Sequence, residues 1–417
     1  MIRPALSLAL LAAPLAPAAA DNGFDYSAAT LRFQLETTQD NARNAEAELG
    51  LRLEEALGDR LSFTFEGHLA GRLWEQPGGA GRWRENTSEV ETATLTWIGD
   101  GVDMVAGQQI VSLGRTDGLV LLDRLNGRDY CDLARLNVFD DKRPNGIIEA
   151  RGYAGNWGFR ALAAPLSGRS DFADPRSSCY DSFNDPAALS AVQDPGLNDP
   201  ASDWAAAAEI SLETDAVGLA LTALSTREDS FTLATYPEFA KDRPRVFWFG
   251  GSGSASVLGA VLKAELAYSP ARVFTLTQEE TMARLMAGQT SDGTQERWNA
   301  LGMLGLAFEI RDWSFDAQYV LDQVESGAAL SRDETLRYAT LNLRRGFLND
   351  TLNFSLFGLY DFTYEDTALR PEISYQFNDR LTLDAGAVLY EDAGNRTGFF
   401  GSYDGGDLVF VGLSYQL

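Results

Sequence analysis

Histidine, cysteine, positive charge and long apolar runs are all scarce in this chain of 417 residues. It contains one histidine, two cysteines, and 34 basic against 60 acidic residues, which gives a formal net charge of −26. This negative balance argues against nucleic acid as a partner, because phosphate backbones attract basic surfaces. One histidine and two cysteines far apart in sequence do not supply a ligand cluster, so the sequence predicts neither a metal site nor a cofactor.

The longest apolar stretch lies near the amino terminus. Arg3 precedes the run ALSLALLAAPLAPAA, and small residues stand directly before Asp21. This order is typical of a secretory signal peptide, so residues 1–20 are predicted to be removed and residues 21–417 to form a single domain. A membrane anchor is the alternative, but the run is shorter than roughly 20 residues and contains prolines. No later run suits a membrane-spanning helix, which excludes a helical membrane protein.

Segments with alternating apolar and polar residues recur along the rest of the chain. Examples are LRFQLET (31–37), AEAELGLRLEEAL (45–57), LSFTFEGHLAGRL (61–73), LNFSLFGLY (352–360) and DLVFVGLSYQL (407–417). Side chains along a strand point to opposite faces with period two, so each segment predicts a strand with one apolar face. Strands of about ten residues are long enough to cross a bilayer when they are tilted.

Short and long connections alternate between these segments. Tight turns are predicted at 57–60, 99–101, 154–156, 214–216, 311–312, 348–351 and 378–380. Longer polar stretches are predicted at 75–88, 112–145, 165–203, 226–244, 269–297, 322–334 and 391–406. Outer-membrane barrels have the same asymmetry, with short periplasmic turns and long extracellular loops. The aromatic residues Trp97, Trp157, Trp313, Phe347 and Phe377 lie beside the short turns and predict an aromatic girdle at that interface.

The pattern therefore predicts an all-β fold: a transmembrane, antiparallel, up-and-down β-barrel of about 18 strands. The last strand, which ends with the chain at Leu417, is expected to pair with the first strand and close the barrel. A soluble β-sandwich would explain the alternation but neither the loop asymmetry nor the girdle. The expected location is the outer membrane of a Gram-negative cell, as a monomer in contact with lipid and lipopolysaccharide.

One region resembles a known family. The segment GQQIVSLGRTDGLVLLDRLNGRDYCDLARLNVFDDKRPNGIIEARGYAGNWGFRALAAP (107–165) is similar to the porin-like outer-membrane family related to alginate-export channels. The resemblance lies in residues 107–109, 114–118, 125–129 and 155–157, whereas Leu113 and Gly127 depart from it. It implies an eighteen-stranded monomeric channel. A polyanion such as alginate requires a basic lumen, so that substrate is not transferred to this chain.

Strand phase also predicts which charged side chains face the lumen. The predicted pore-lining residues are Arg32, Arg52, Glu54, Glu66, His68, Arg72, Glu149, Arg151, Arg160, Glu209, Lys263, Glu265, Glu309, Asp316, Arg344, Glu372 and Asp384, and the same phase adds Glu36, Glu46, Glu48, Asp103, Asp322 and Arg370. These charges either form a solvated conduit that sorts solutes or pair across strands and hold the wall together. The sequence leaves both interpretations open.

The predicted function is a non-enzymatic channel for a polar or amphiphilic small molecule or an oligomer. A hydrolase centred on His68 is one alternative, since Glu66 and Arg72 lie nearby in the same strand. The other alternative is a plugged barrel that serves as a surface scaffold. The acidic excess predicts a weak preference for cations.

Three features of the loops complete the prediction. TLTQEETMARLMAG (275–288) predicts a short helix with a capping box, Thr277 and Glu280, that either narrows the mouth or covers the rim. Loop 165–203 holds seven Asp residues, for which a solvated loop or bridging by calcium or lipopolysaccharide is considered. Cys131 and Cys179 are predicted to form a disulfide, because an exported chain matures in an oxidising compartment.

Overall fold

The computed structural model describes residues 26–38, 43–75, 82–114, 120–131, 135–136, 142–170, 203–228, 232–236, 240–392, 398, 400–403 and 406–417. The predicted signal peptide lies outside the described residues, as do Cys179 and most of the acidic loop 165–203. In the described part of the chain, no helix has the length and apolar character needed to cross a membrane.

Twenty strands lie within the described residues: β1 (Tyr26–Thr38), β2 (Arg43–Ala56), β3 (Leu61–Glu75), β4 (Arg82–Ile98), β5 (Val102–Gln109), β6 (Asn145–Ala154), β7 (Trp157–Ala164), β8 (Ala205–Glu213), β9 (Val217–Arg227), β10 (Thr232–Ala234), β11 (Ala240–Asp242), β12 (Arg245–Val257), β13 (Ala260–Thr275), β14 (Thr294–Ile310), β15 (Trp313–Val324), β16 (Thr335–Phe347), β17 (Leu352–Asp361), β18 (Thr367–Asn378), β19 (Leu381–Glu391) and β20 (Leu408–Gln416). The short strands β10 and β11 pair only with each other, and the other eighteen form one antiparallel sheet.

The sheet closes on itself through its first and last strands. Strand β1 pairs with β20 from Thr30 opposite Gln416 to Thr38 opposite Leu408, and every other barrel strand pairs with its neighbours along the chain. The predicted closed, antiparallel, eighteen-stranded barrel is therefore confirmed. Closure gives every strand two partners, so no unpaired backbone edge faces lipid.

Alternation along each strand divides the barrel into an outer and an inner face. In β13, Leu262 and Leu266 are exposed, while Lys263 and Glu265 between them are buried. Strand β9 repeats this pattern, with Leu219 and Leu221 pointing outward. The exposed face is apolar because lipid surrounds it, whereas the charged side chains occupy the inner face.

Strand ends differ from the prediction at three places. Strands β3 and β4 extend to Glu75 and from Arg82, so the connection predicted at 75–88 is shorter than expected. Strands β13 and β14 likewise continue into the predicted loop 269–297 as far as Thr275 and from Thr294. An eighth short turn occurs at residues 258–259, where Leu258 has φ 51° and Gly259 φ 84°. Leucine is uncommon in such a turn, so the sequence carried a weak signal there.

An aromatic girdle surrounds the end of the barrel that carries the short turns. Trp313 lies edge-on to Phe347 and Phe354, with ring centroids 6.4 and 6.0 Å apart. The guanidinium of Arg345 lies 4.7 Å from the Phe347 ring centroid. Amphipathic aromatic side chains are favoured at the membrane–water interface, which explains why they gather at this level.

Candidate functional site

The described part of the chain between β5 and β6, residues 110–114, 120–131, 135–136 and 142–144, turns into the barrel, and we refer to these residues as the inner loop. Leu113, Leu122 and Leu125 in this loop are completely buried, with 0% exposure. They share one apolar cluster with inner-face residues of the barrel wall, among them Trp248 and Met303. This connection was predicted as one of the long loops, and it does join β5 and β6 at the end of the barrel opposite the short turns. Its described leucines, however, are buried inside the barrel, which the prediction of a solvated loop did not include.

Polar contacts fix the first half of the inner loop to the same wall. The backbone N–H of Leu122 donates a hydrogen bond of 2.7 Å to Glu265 Oε1. Gly114 has φ +93°, and a Cβ there would lie 3.0 Å from both carboxylate oxygens of Glu265, so glycine suits this position. Arg124 stacks over the Trp248 ring at 4.5 Å, a cation–π contact that orders both side chains.

Asn126 holds the base of the inner loop together. Its Oδ1 accepts a hydrogen bond of 3.0 Å from the Val111 N–H, and its Nδ2 donates to the carbonyl of Arg143 at 2.8 Å. The next residue, Gly127, packs so closely on Arg169 that a Cβ would lie 1.8 Å from the Arg169 carbonyl oxygen. Residues 125–129 carry part of the family resemblance, and here they serve to shape the loop.

A buried ion pair joins the first half of the inner loop to its last residues. The Asp123 carboxylate is buried and forms an ion pair with Lys142, whose ammonium also donates to Ser112 Oγ at 2.7 Å. Burial raises the pKa of Asp123 above its ordinary value, and the charge of Lys142 opposes this shift. The pair therefore ties the two ends of the loop together at the barrel wall.

The second half of the inner loop reaches the opposite side of the barrel. Arg135 forms an ion pair of 2.7 Å with Glu36 of β1, and its carbonyl accepts a hydrogen bond from Arg370 of β18. Leu136 is buried in a cluster with Phe357 and Tyr390 on β17 and β19. The inner loop therefore spans the lumen from one wall to the other.

A third part of the inner face keeps several of its charged side chains exposed to water. We call this surface the β2–β4 wall: it comprises Glu46, Glu48, Arg52, Glu54, Glu66, His68, Arg72, Glu89 and Glu91. Arg52 and Glu66 have side chains 48% and 40% exposed and lie 4.0 Å apart. Arg72 bonds to Glu46 at 2.9 Å. These side chains remain accessible because the apolar clusters of the inner loop lie on other strands.

His68 lies between two carboxylates on this wall. Its Nδ1 is 2.9 Å from Glu91 Oε1, and its Nε2 is 3.7 Å from Glu89 Oε2. Arg143 of the inner loop also binds Glu89 at 3.0 Å. In the described part of the chain, no hydroxyl group hydrogen-bonds to the imidazole, so neither ring nitrogen is directed at a nucleophile.

The two partners of His68 were missed by sequence reasoning. Glu66 pairs with Thr92 while Gly67 pairs with Val90, so Glu91 is an extra residue in a β-bulge. A bulge breaks period two, and a strict alternation therefore assigns residues on one side of it to the wrong face. The available signal was the irregular stretch SEVETATL, where acidic residues occur two positions apart before the alternation resumes.

The other predicted pore-lining residues lie on the inner face and are largely paired. Buried Glu149 accepts hydrogen bonds from Arg151 and Arg160, and Lys263 binds Asp316 at 2.7 Å. Further contacts join Glu209 to Thr222, Arg370 to Glu372, and Arg344 to Asn342. Arg32, Glu309 and Asp384 share the inward parity of their strands, and Arg32 lies opposite Glu48. Most of these residues therefore pair with other groups on the inner face. Their role in lining a pore stays a proposal.

The predicted helix occurs between β13 and β14 as α1 (Gln278–Met286). Thr277 caps it and accepts a hydrogen bond of 3.2 Å from the Glu280 N–H, which is one half of the predicted capping box. The other half is not formed, because the Thr277 N–H donates to the Ala329 carbonyl. Met282 and Met286 are exposed. Of the two positions considered for this helix, its exposed methionines fit the rim, whereas the inner loop is a described segment whose side chains lie inside the barrel.

Among the described residues, no group of three His, Cys, Asp or Glu side chains could hold a metal ion. Cys131 lies in the inner loop beside the Leu136 cluster, and its backbone N–H donates to Asp129 Oδ1 at 2.8 Å. Its predicted partner Cys179 lies outside the described residues, so the disulfide stays a prediction.

No protein-family model matches this chain, and no curated protein matches its sequence. Solved structures with a similar fold include OccD3 (OpdP) of Pseudomonas aeruginosa, at 10% identity and TM-score 0.51, over 95% of this chain and 91% of that one. OccK7 (OpdD) of the same organism matches at 10% identity and TM-score 0.50, over 94% and 98% of the two chains. OmpF of Salmonella typhi matches at 11% identity and TM-score 0.44, over 94% and 97%.

The fold is that of an outer-membrane porin barrel. It is consistent with the predicted place of the chain in the Gram-negative outer membrane.

Proposed function

We propose that this protein is an outer-membrane channel that carries a polar or amphiphilic small molecule, or an oligomer, across the membrane by facilitated diffusion. The observation that supports it best is the β2–β4 wall, where charged side chains inside a lipid-embedded barrel remain exposed. Arg52 and Glu54 have side chains 48% and 51% exposed. Charges so placed require water around them, since burial without solvation or full pairing is costly. A water-filled lumen is the requirement for a channel.

Conductance measurements test this proposal. Purified protein added to a planar bilayer should produce discrete, reproducible steps of current that persist after the bilayer is washed. A barrel that folds and inserts, as judged by its resistance to unfolding in gel electrophoresis, yet gives no steps would support the surface-scaffold alternative instead. The Leu122→Ala variant described below serves as a positive control, because loosening the inner loop should open any lumen that the loop seals.

The non-enzymatic assignment is part of the proposal. The surroundings of His68 support it, because both ring nitrogens lie near carboxylates and not near a hydroxyl group. A general base needs a nucleophile or a water within hydrogen-bond reach. Ester and phospholipid substrates should therefore be hydrolysed no faster by the native protein than by His68→Ala. Hydrolysis that disappears in His68→Ala would favour the barrel enzyme.

A relation to alginate-export channels remains a proposal as well. Residues 125–129, which carry part of that resemblance, hold the inner loop through Asn126 and Gly127. We therefore propose that the relation consists of a shared loop structure and does not extend to the substrate. We further propose that the barrel acts as a monomer whose outer face contacts phospholipid and lipopolysaccharide.

A further inference from the structure

Three glutamates at the same level of the barrel have different surroundings. Glu66, Glu149 and Glu265 each stand five positions from the short-turn end of their strand, since β3 begins at Leu61, β6 ends at Ala154 and β13 begins at Ala260. Glu149 and Glu265 are completely buried, with 0% exposure. The Glu66 side chain is 40% exposed. Depth along the barrel axis does not explain this difference in exposure, because it is the same for all three. Their position around the circumference must therefore explain it.

The inner loop helps to explain the contrast because it joins apolar clusters on most of the circumference. Its first half shares one cluster with inner-face residues of β6 to β9 and β12 to β15, and its second half, together with Phe400 and Tyr403, shares another with β17 to β20 and forms an ion pair with β1. Strands β2 and β3 contribute nothing to these apolar clusters, and β4 meets the loop through the ion pair of Arg143 with Glu89. Within the described residues, water-accessible inner surface at mid-depth is thus concentrated on the β2–β4 wall.

This accessible surface is predominantly acidic. Its carboxylates are Glu46, Glu48, Glu54, Glu66, Glu89 and Glu91, and the guanidiniums near them belong to Arg32, which lies opposite Glu48, and to Arg52, Arg72 and Arg143. His68 is positive only when it is protonated. The six carboxylates outnumber the four guanidiniums, so carboxylate charge remains in excess along the surface. Closely spaced like charges in a narrow aqueous space concentrate counter-ions and repel solutes of the same sign.

We infer that the solute path is off-centre: it runs between the inner loop and the β2–β4 wall and favours small organic cations, such as amines and guanidines. This inference rests on the proposed channel function and adds its route and its solute class. Carboxylate oxygens accept hydrogen bonds from ammonium and guanidinium groups, and such charge-assisted bonds are stronger than neutral ones. Arg143 and His68 hold Glu89 and Glu91 in place, so these two carboxylates form the recognition point of the path.

Cysteine accessibility tests the route. Thr64 on β3 and Ala220 on β9 are inner-face residues. Each stands three residues from the short-turn end of its strand. Thr64→Cys and Ala220→Cys are treated, after insertion into a planar bilayer, with a trimethylammonium-bearing methanethiosulfonate, and the unsubstituted protein is the reagent control. We expect the conductance of Thr64→Cys to fall by about half or more, because a bulky cation would lie in the path. Ala220→Cys, at a position that is 4% exposed, should keep its conductance.

Each other outcome of this test overturns the inferred route. Equal loss of current in both variants indicates a central lumen, and loss in Ala220→Cys alone places the path on the covered wall. No loss in either variant, with mass spectrometry showing that Thr64→Cys is labelled, also contradicts the route. Absence of current from the unsubstituted protein is a separate result, since it contradicts the channel function and not the route.

Solute entry tests the charge preference. Liposomes that contain the protein are placed in isosmotic arginine, glutamine or glutamate, three solutes of similar size and different charge. Arginine should enter fastest and glutamate slowest. Glu91→Gln should reduce the ratio of arginine to glutamate rates by about two- to three-fold, because one recognition carboxylate loses its charge.

The matched control for this test is Glu209→Gln. It removes the same charge from the inner face of β8 and keeps an oxygen that accepts the hydrogen bond from Thr222. This variant should leave the arginine-to-glutamate ratio unchanged. Faster entry of glutamate than of arginine in the native protein, or an equal effect of the two variants, would overturn the inferred cation preference.

Discussion

Two ion pairs on opposite walls of the barrel have the same chemistry and different surroundings. Lys263 and Asp316 lie 2.7 Å apart with side chains 7% and 19% exposed. Arg52 and Glu54 lie 2.6 Å apart with side chains 48% and 51% exposed. A covered pair must satisfy all its hydrogen bonds within the protein, whereas an exposed pair exchanges them with water and solutes. The inner loop therefore decides which inner-face charges support the wall and which remain available for function.

The largest expected effect comes from removing the cover. Leu122→Ala should weaken docking of the inner loop by about 2–5 kcal/mol, because the side chain is fully buried against the barrel wall. We expect higher conductance and faster proteolysis within residues 110–144, with the barrel still folded. Leu266→Ala, on the lipid face of β13, is the matched control and should change neither property. Unchanged conductance and protease resistance in Leu122→Ala would show that the loop does not narrow the lumen.

Removal of the predicted disulfide should have the next largest effect on the stability of the inner loop. A bridge from Cys131 to Cys179 closes a loop of about fifty residues, which in the chain-entropy model stabilises by about 4 kcal/mol. Cys131→Ser should leave the barrel inserted and make the inner loop more sensitive to protease, since Cys131 lies in that loop. Alkylation of the native protein without reductant, followed by peptide mapping, gives the direct answer. Labelling of both thiols would contradict the bridge.

The contrast between inner and outer faces can be tested with two adjacent residues of β3. Leu69 is exposed on the lipid face, and His68 belongs to the β2–β4 wall. Leu69→Arg should make folding into a bilayer less favourable by about 2–4 kcal/mol, because a charge would enter lipid. His68→Arg should cost much less, since water reaches that face. Urea titrations of folding into lipid vesicles measure both values, and equal costs would falsify the assignment of faces.

The smallest expected effect concerns the buried carboxyl group of Asp366, in the connection between β17 and β18. Asp366 accepts a hydrogen bond of 2.8 Å from the Gly401 N–H, and burial raises its pKa above 3.8, with Asp361 and Asp392 adding to the shift. The contribution of this group to stability is complete below the unfolded pKa and is lost as pH rises through the higher folded pKa. The protection factor of the Gly401 amide, which corrects the exchange rate for its intrinsic dependence on pH, should fall over that rise, and Asp366→Asn should remove this fall. A native pH profile as flat as that of the variant would contradict it.

Much of the barrel follows from local sequence because its inner and outer faces repeat every two residues. Lys263, Glu265 and Asp316 were assigned to the inner face from phase alone, since their neighbours Leu262 and Leu266 had to face lipid. The inner loop was not foreseen, although Leu121, Leu122 and Leu125 are too apolar for a solvated connection. Burial of these leucines depends on strands far away in the chain. The bulge at Glu91 was missed for the same reason, because strand register is a property of two strands.

The inner loop also implies an order of assembly. It is synthesised between β5 and β6, yet Leu122 bonds to Glu265 and Arg135 to Arg370, which lie 143 and 235 positions later in the chain. It cannot dock until the strands that carry those partners have joined the sheet. Until then its leucines lack their apolar neighbours, and exposed apolar segments of this kind favour aggregation. Docking of the loop is therefore a late step of biogenesis, and a docked loop is a sign that the barrel has closed in the correct register.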